Sequence, residues 1–189
     1  ENIKEILDGG NIDVLIMICC SAGFINNAGT SDDEAVWNFT EYALEQNPQT
    51  RIGLAMPWSD FPQSYDDAEE HRNRTDMAYP LWEQMASRLS SDFGGADVFT
   101  FYHGAATYEL RELFEAGNLS DVDQLRGPTA TSLFTDQKGH AGQILIDTGA
   151  LIWLAAIHGV DPMDLPEYEE YELDIRMVAK GIIDRYSHP

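Results

Sequence analysis

The chain has 189 residues, and the 43% of them that are hydrophobic suffice to bury the core of one ordinary globular domain. Its 33 acidic residues outnumber the 11 basic ones, and the resulting formal net charge of −22 repels a phosphate backbone. The only cysteines are the neighbours Cys19 and Cys20, and no apolar run is as long as a membrane-spanning helix. The sequence therefore excludes a disulfide framework and predicts neither a nucleic-acid partner nor a membrane span.

Apolar runs of strand length alternate with helical patterns along the chain. The predicted strands are "NIDVLIMICC" (11–20), "TRIGLAMPW" (50–58) and "ADVFTFYHG" (96–104). The predicted helices are "SDDEAVWNFTEYALEQNP" (31–48), "TDMAYPLWEQMASRLSSDFGG" (75–95), "AATYELRELFEAG" (105–117) and the nearly all-apolar segment 141–158. Pro80 marks a kink or a late start of the second helix, because proline cannot continue a helical hydrogen-bond ladder.

This alternation predicts an α/β fold: a three-layer α/β/α sandwich with a mainly parallel, flavodoxin-like sheet. Residues 1–189 are predicted to form a single domain, and residues 163–189 an acidic helical extension on its surface. Ligands of such folds bind beyond the carboxyl ends of the strands. The segments expected there are "CCSAGFINNAG" (19–29), "PWSDFPQSYDDAEEHRNR" (57–74), "YHGAAT" (102–107) and the turn within "FTDQKGHAGQ" (134–143).

The turn within "FTDQKGHAGQ" places Asp136 four positions before His140, immediately ahead of the apolar helix. Two interpretations are open. Asp136 can cap the turn without any chemistry, because a short carboxylate accepts hydrogen bonds from nearby backbone N–H groups. The other interpretation is a catalytic Asp–His pair, in which the carboxylate orients the imidazole.

The position of this pair resembles the SGNH (GDSL-type) hydrolases, in which an Asp-x-x-His element precedes the last core helix. The likeness covers about residues 5–160, because "NIDVLIMICCSAG" resembles the family strand that ends in Gly-x-Asn-Asp, and "ADVFTFYHGAATYELRELFEAG" resembles the next strand and helix in some bacterial branches. The resemblance implies a serine esterase in which Asp136 orients His140 and His140 acts as general base. It implies no cofactor and no metal.

Three positions depart from the family pattern. The spacing from Asp136 to His140 is one residue longer, which Gly139 can absorb, and Ser21 aligns with the family asparagine that donates to the oxyanion. No Gly-Asp-Ser occurs in the 189 residues. One expectation is that a segment with the first strand and the nucleophilic serine is missing ahead of residue 1; another makes Ser21 the nucleophile; a third gives Ser21 a structural role.

Several other side chains are candidates for substrate binding, each with a structural alternative. Cys20, Trp58 and His103 are the candidate substrate contacts, although a small buried thiol, a loop-folding indole and a structural histidine explain them equally simply. Trp58 belongs to an aromatic loop with Phe61 and Tyr65, which can stack on a sugar or wall an acyl pocket.

His71 and Arg74 can meet a substrate carboxylate, or simply belong to an exposed helix start. A metal site formed by Asp136, His140, His103 and Asp97 is a weaker alternative, because no paired-histidine motif supports it. The expected partner is a small-molecule or carbohydrate ester. The alternative function is a non-catalytic carbohydrate-binding module on a hydrolase scaffold.

Overall fold

The strands form two small open sheets in the computed structural model, which describes residues 2–18 and 34–186. The first sheet has the order β1-β2-β3, and the second pairs β4 with β5. The strands are β1 (Val14–Ile18), β2 (Arg51–Ala55), β3 (Val98–Phe101), β4 (Gln124–Arg126) and β5 (Ser132–Phe134). The pairs β1–β2 and β4–β5 are parallel, with Val14 opposite Arg51 and Gln124 opposite Ser132. The predicted α/β class with parallel strands is therefore confirmed.

Helices lie between successive strands from β1 to β4, whereas a short turn joins β4 to β5. The helices are α1 (Ile3–Leu7), α2 (Glu34–Gln46), α3 (Ala68–Asp76), α4 (Tyr79–Asp92), α5 (Ala106–Glu115), α6 (Gln143–His158) and α7 (Ile175–Tyr186). Short 3₁₀ turns occupy Pro62–Ser64, His103–Ala105 and Pro162–Asp164. Pro80 lies in the first turn of α4, so the late helix start is the correct alternative there.

The chain divides into two compact units. The first comprises Glu1–Met56 and Met77–Thr100, and a cluster of apolar side chains from α1, β1, α2 and β2 forms a core there: Leu7, Leu15, Ala43 and Ile52. The second unit comprises Pro57–Asp76 and Phe101–Pro189. In it, α6 packs against α5 and α7, and α3 packs against α5. A single domain and the three-layer sandwich stay predictions.

Two regions differ from the sequence predictions. The sequence predicts a polar loop that ends at an exposed helix start near His71 and Arg74, but the helix α3 already begins at Ala68 and buries Ala68, His71 and Thr75. The predicted C-terminal helical extension begins at residue 163, but α7 begins only at Ile175, and one of its faces packs against α6. In both regions tertiary packing, which the local charge pattern does not reveal, decides the structure.

The second sheet was not predicted. Both β4 and β5 are three residues long, which is too short for the alternation of apolar and polar residues to be recognised. Ser132, Leu133 and Phe134 are nonetheless all buried. This short buried strand matters because it leads directly into the turn that carries Asp136 and His140.

Candidate active site

Residues 135–140 form a narrow reversal between β5 and α6, called here the 135–140 turn. Its two sides are joined by hydrogen bonds from Thr135 N to the carbonyl of His140 (2.7 Å) and from Gly142 N to the carbonyl of Leu133 (2.8 Å). Phe134 and Ala141 form an antiparallel bridge at its base. The turn therefore begins at the carboxyl end of a parallel strand, where the sequence predicted the Asp–His pair.

The Asp136 carboxylate binds the backbone of the turn and the imidazole at once. Its Oδ1 accepts hydrogen bonds from the backbone N–H groups of Gly139 (2.9 Å) and His140 (3.2 Å). Its Oδ2 forms a short hydrogen bond with Nδ1 of His140. Hydrogen bonds from the His140 side chain and backbone lower the pKa of Asp136 to about 2. Asp136 thus makes both the backbone contacts of a cap and the hydrogen bond to the imidazole, and a catalytic role for the pair stays a prediction.

The free edge of the imidazole faces solvent. The His140 side chain is 68% exposed and that of Asp136 is 46% exposed. Because Asp136 is ionised at neutral pH, its Oδ2 can only accept, so Nδ1 of His140 carries the shared proton. The lone pair of the neutral ring then resides on Nε2, and none of the residues in the described ranges donates to it.

A second loop, residues 58–63, donates hydrogen bonds to carbonyl groups of the 135–140 turn. Trp58 Nε1 donates to the carbonyl of Gly139 (2.9 Å), and the backbone N of Phe61 donates to that of Lys138 (2.9 Å). Gln63 Nε2 donates to the carbonyl of Asp136 at 3.4 Å. The 58–63 loop therefore fixes the backbone that connects Asp136 to His140.

The contact between the 58–63 loop and the turn requires glycine at position 139. Gly139 has φ of +99°, a conformation that residues with a Cβ rarely adopt, and an added Cβ would lie 2.4 Å from Cδ of Pro62. Phe61 adopts the left-handed conformation with φ of 58°, although it is not glycine, and its ring is 50% exposed. Such strained residues persist only where their surroundings hold them, and they cluster at functional sites.

The buried side chain of Arg111 binds backbone carbonyls at the end of the 58–63 loop and just after it. Its side chain is 4% exposed, and its guanidinium donates to the carbonyls of Pro62 (2.9 Å), Tyr65 (3.0 Å) and Asp66 (3.2 Å). Its Nε donates to Glu115 at 2.5 Å. The sequence analysis missed Arg111, because an arginine four positions before a glutamate on an amphipathic helix is normally a solvated ion pair.

Two candidate substrate contacts lie together, because the ring of His103 packs against Trp58 of this loop. Their ring centroids are 5.9 Å apart, and His103 also contacts Trp153 at 5.6 Å. His103 is 9% exposed, none of the described residues bonds its Nδ1, and burial lowers its pKa to about 4. A neutral, largely buried His103 is consistent with the structural alternative, and its role in substrate binding stays a prediction.

His71 is buried, contrary to the expectation of an exposed helix start. It has 0% exposure and stacks on Tyr65 at 4.9 Å, with the Tyr108 ring edge-on at 6.0 Å. Neither of its nitrogens has a hydrogen-bond partner in the described part of the chain. Burial and, secondarily, the charge of Arg111 lower its pKa to about 4. Arg74 is exposed as predicted, 3.9 Å from Glu70.

The remaining candidates can be placed only in part. Ser21, Cys19 and Cys20 lie outside the described residues. Asp97 forms an ion pair with Arg51 within the first unit. Within residues 2–18 and 34–186, His, Cys, Asp and Glu side chains do not gather in any group of three or more that could hold a metal ion.

No protein-family model gives a significant match to this chain, and neither does any curated protein or solved structure. None of the helices in the described ranges combines the length and apolar character needed to cross a bilayer. The candidate site consequently rests on its own geometry: an exposed imidazole, oriented by an ionised carboxylate on a turn that a second loop holds in place.

Proposed function

We propose that the chain is an SGNH (GDSL-type) ester hydrolase in which Asp136 orients His140 and His140 is the general base. The observation that carries the proposal is that the two carboxylate oxygens of Asp136 bind different partners. Oδ1 of Asp136 accepts both of the carboxylate's hydrogen bonds from the backbone of the turn, whereas Oδ2 bonds the imidazole. A purely capping aspartate has no need of the second interaction.

The proposed chemistry follows from the tautomer of His140. With the proton on Nδ1, Nε2 accepts the proton of a serine hydroxyl as the serine oxygen attacks the ester carbonyl carbon. The protonated imidazole then gives that proton to the departing alcohol, which leaves an acyl-serine. Water then attacks the acyl-serine carbonyl as Nε2 takes one of its protons, and the imidazolium returns that proton to the serine oxygen as the acyl–oxygen bond breaks and the carboxylic acid leaves. Asp136 stabilises the imidazolium in both steps.

Two features of the second unit support this role. The 58–63 loop fixes three carbonyls of the turn, so the imidazole is held before substrate arrives. The exposed ring of Phe61 and the half-buried ring of Trp58 belong to that loop. Both can contact an acyl group or a sugar, although the Trp58 N–H is already engaged by Gly139. We therefore propose a small-molecule or carbohydrate ester as the substrate.

The nucleophile is proposed to be a serine, either Ser21 or one encoded ahead of residue 1. A fluorophosphonate, which reacts covalently with activated serines, distinguishes these two. Labelling of the 189-residue chain that is lost in Ser21→Ala identifies Ser21. Labelling that requires residues encoded ahead of position 1 identifies the other serine.

Hydrolysis of p-nitrophenyl acetate by whichever form is labelled tests the general base. His140→Ala should lower turnover by several orders of magnitude, and Asp136→Asn by up to about 10⁴-fold, because it misassigns the tautomer. Gln137→Ala is the matched control, since Gln137 is an exposed neighbour in the same turn. Activity that survives His140→Ala refutes the mechanism. Failure to hydrolyse any acyl or sugar-acetate ester favours the carbohydrate-binding alternative.

A further inference from the structure

A cavity of about 480 Å³ opens beside the start of α6, within the second unit. This volume lies in the range of small-molecule binding sites. The side chains that line the cavity come from three neighbouring segments of the chain: Ala130, Gln143, Asp147, Tyr168, Glu170 and Tyr171. This cavity is called here the Tyr168–Tyr171 pocket. It contains neither member of the Asp136–His140 pair.

Two aromatic rings form part of its wall. The rings of Tyr168 and Tyr171 are nearly parallel, with an interplanar angle of 22° and centroids 6.5 Å apart. Both tyrosines are only partly buried, so part of each side chain remains accessible. The face of an aromatic ring carries partial negative charge and attracts both cations and the polarised C–H groups next to them.

The pocket contains two acceptor carboxylates, and two of its donor side chains, Tyr171 and Gln143, are bound to one of them. Tyr171 donates its hydroxyl to Oδ2 of Asp147 at 2.5 Å, and Gln143 donates its amide to both oxygens of Asp147 at 3.1 and 3.2 Å. These donors are thus already used within the wall. The charged groups that line the pocket are the carboxylates of Asp147 and Glu170, and none of the described lining residues is basic.

The electrostatic surroundings favour a positive ligand. Burial and the hydrogen bond to Asp147 raise the pKa of the Tyr171 hydroxyl, and the negative charges of Asp147, Glu170 and Asp121 raise it further. The chain as a whole carries a formal charge of −22. An anionic ligand would be repelled, whereas a cation with N–H donors would gain charge-assisted hydrogen bonds.

We infer that the Tyr168–Tyr171 pocket binds a protonated primary amine, whose ammonium group donates to Asp147 and Glu170 while its carbon chain lies against the tyrosine rings. The inference is independent of the proposed hydrolase function, because it uses neither His140 nor a serine. It accounts for a cavity whose described lining residues supply two aromatic rings and two carboxylates but no Lys, Arg or His side chain.

Binding of n-butylammonium chloride to the 189-residue chain tests the inference, with butan-1-ol as the neutral analogue of the same length and glucose as a neutral polyol. Titrations followed by NMR in 0.15 M salt suppress diffuse attraction to the acidic surface. We expect saturable binding of the amine, with butan-1-ol weaker by about tenfold or more, as expected when charge-assisted hydrogen bonds are lost.

Variants locate the site. Asp147→Asn, whose amide oxygen can still accept from Tyr171, and Glu170→Gln should each weaken amine binding by about tenfold. Tyr168→Leu should weaken it several-fold by removing a ring. Glu169→Gln is the matched control, because Glu169 is an exposed acid that does not line the pocket.

Several results would overturn the inference. Equal binding of butan-1-ol would show a merely apolar pocket, and stronger binding of glucose would show a sugar site. Amine binding that is non-saturable, or that is unchanged in Glu170→Gln and Tyr168→Leu, would show only attraction to the acidic surface. Far-UV circular dichroism checks that each variant is folded, and Tyr168→Leu remains informative if Asp147→Asn is not.

Discussion

Two histidines of the same structural unit, His140 and His71, lie in opposite surroundings. The side chain of His140 is 68% exposed, and its imidazole is hydrogen-bonded to an ionised carboxylate. His71 is fully buried, stacked on Tyr65, and without a hydrogen-bond partner among the described residues. A buried histidine without partners is maintained by packing and shape, whereas an exposed histidine with an oriented ring is available for chemistry. The same residue type thus has two very different environments within one unit.

Arg111 is connected with both histidines. It lies beside His71, and it binds the loop whose hydrogen bonds hold the turn of His140. Arg111→Met should lower the free energy of unfolding by about 3–5 kcal/mol, because it leaves the Glu115 partner and three loop carbonyls without their donor. Urea unfolding measures this change. Arg74→Met, at an exposed arginine 3.9 Å from Glu70, should change the free energy by less than about 0.5 kcal/mol. Equal effects of the two changes would contradict the role given to Arg111.

Acid should destabilise the protein through its buried histidines. The pKa of His71 is lowered to about 4 in the folded state, against about 6.5 in an unfolded chain, so the unfolded state binds more protons between these values. The stabilisation is complete above about pH 6.5 and is lost as the pH falls toward 4. Between pH 7 and pH 5, His71 alone should account for roughly 1–2 kcal/mol of this loss.

His71→Phe isolates this contribution, because phenylalanine preserves an aromatic ring against Tyr65 and cannot be protonated. Urea unfolding of the variant between pH 7 and pH 5 should show a shallower loss of stability than the wild-type protein. His103, whose pKa is lowered by burial in the same way, continues to contribute in both proteins. Parallel curves for the two proteins would show that His71 is solvated in the folded state.

A substitution at Gly139 should disturb the turn that carries the exposed His140. Gly139→Ala should cost about 1–3 kcal/mol, because alanine is strained at φ of +99° and its Cβ would meet Pro62. Gly149→Ala is the matched control within α6, where an added Cβ meets no atom within 4 Å. That change should instead stabilise the protein by about 0.5–1 kcal/mol. Thermal unfolding separates the two, and a neutral Gly139→Ala would mean that the turn is not held against the 58–63 loop.

The smallest expected effect concerns a single hydrogen bond to the turn. Trp58→Phe keeps an aromatic ring but removes the donor to the Gly139 carbonyl, which should cost about 1 kcal/mol. Hydrogen exchange should quicken at the amides of Gly139 and His140, whose acceptor is Asp136. Unchanged exchange there would show that the turn is rigid without Trp58.

The sequence predicted the parts of this structure that leave a periodic or local signal. The strands β1, β2 and β3 were found because each is a continuous apolar run, and α6 was found because it is apolar nearly all round. Asp136 and His140 were found because their interaction spans only four residues of one turn. Local contacts of this kind can be predicted from the spacing of residues along the chain.

Long-range contacts left no such signal. The helix α3 was missed because "AEEHRNRTD" has no apolar face, and its histidine is buried only through the packing of the second unit. Arg111 and the contact of the 58–63 loop with the turn were missed for a related reason, since both involve backbone carbonyls, which every residue possesses. A side chain that recognises main chain places no requirement on the identity of its partner.

The close backbone contacts at Gly139 and Gly142 define a sequence pattern that can be used to search for related proteins. An added Cβ at Gly142 would lie 1.8 Å from the carbonyl oxygen of Ser132, as intolerable as one at Gly139 facing Pro62. Counting from Asp136, the required residues are aspartate, then glycine and histidine at the fourth and fifth positions, then glycine at the seventh. Searches that allow this longer spacing, Asp-x-x-Gly-His-x-Gly ahead of an apolar helix, should recover chains that a shorter Asp-x-x-His pattern passes over.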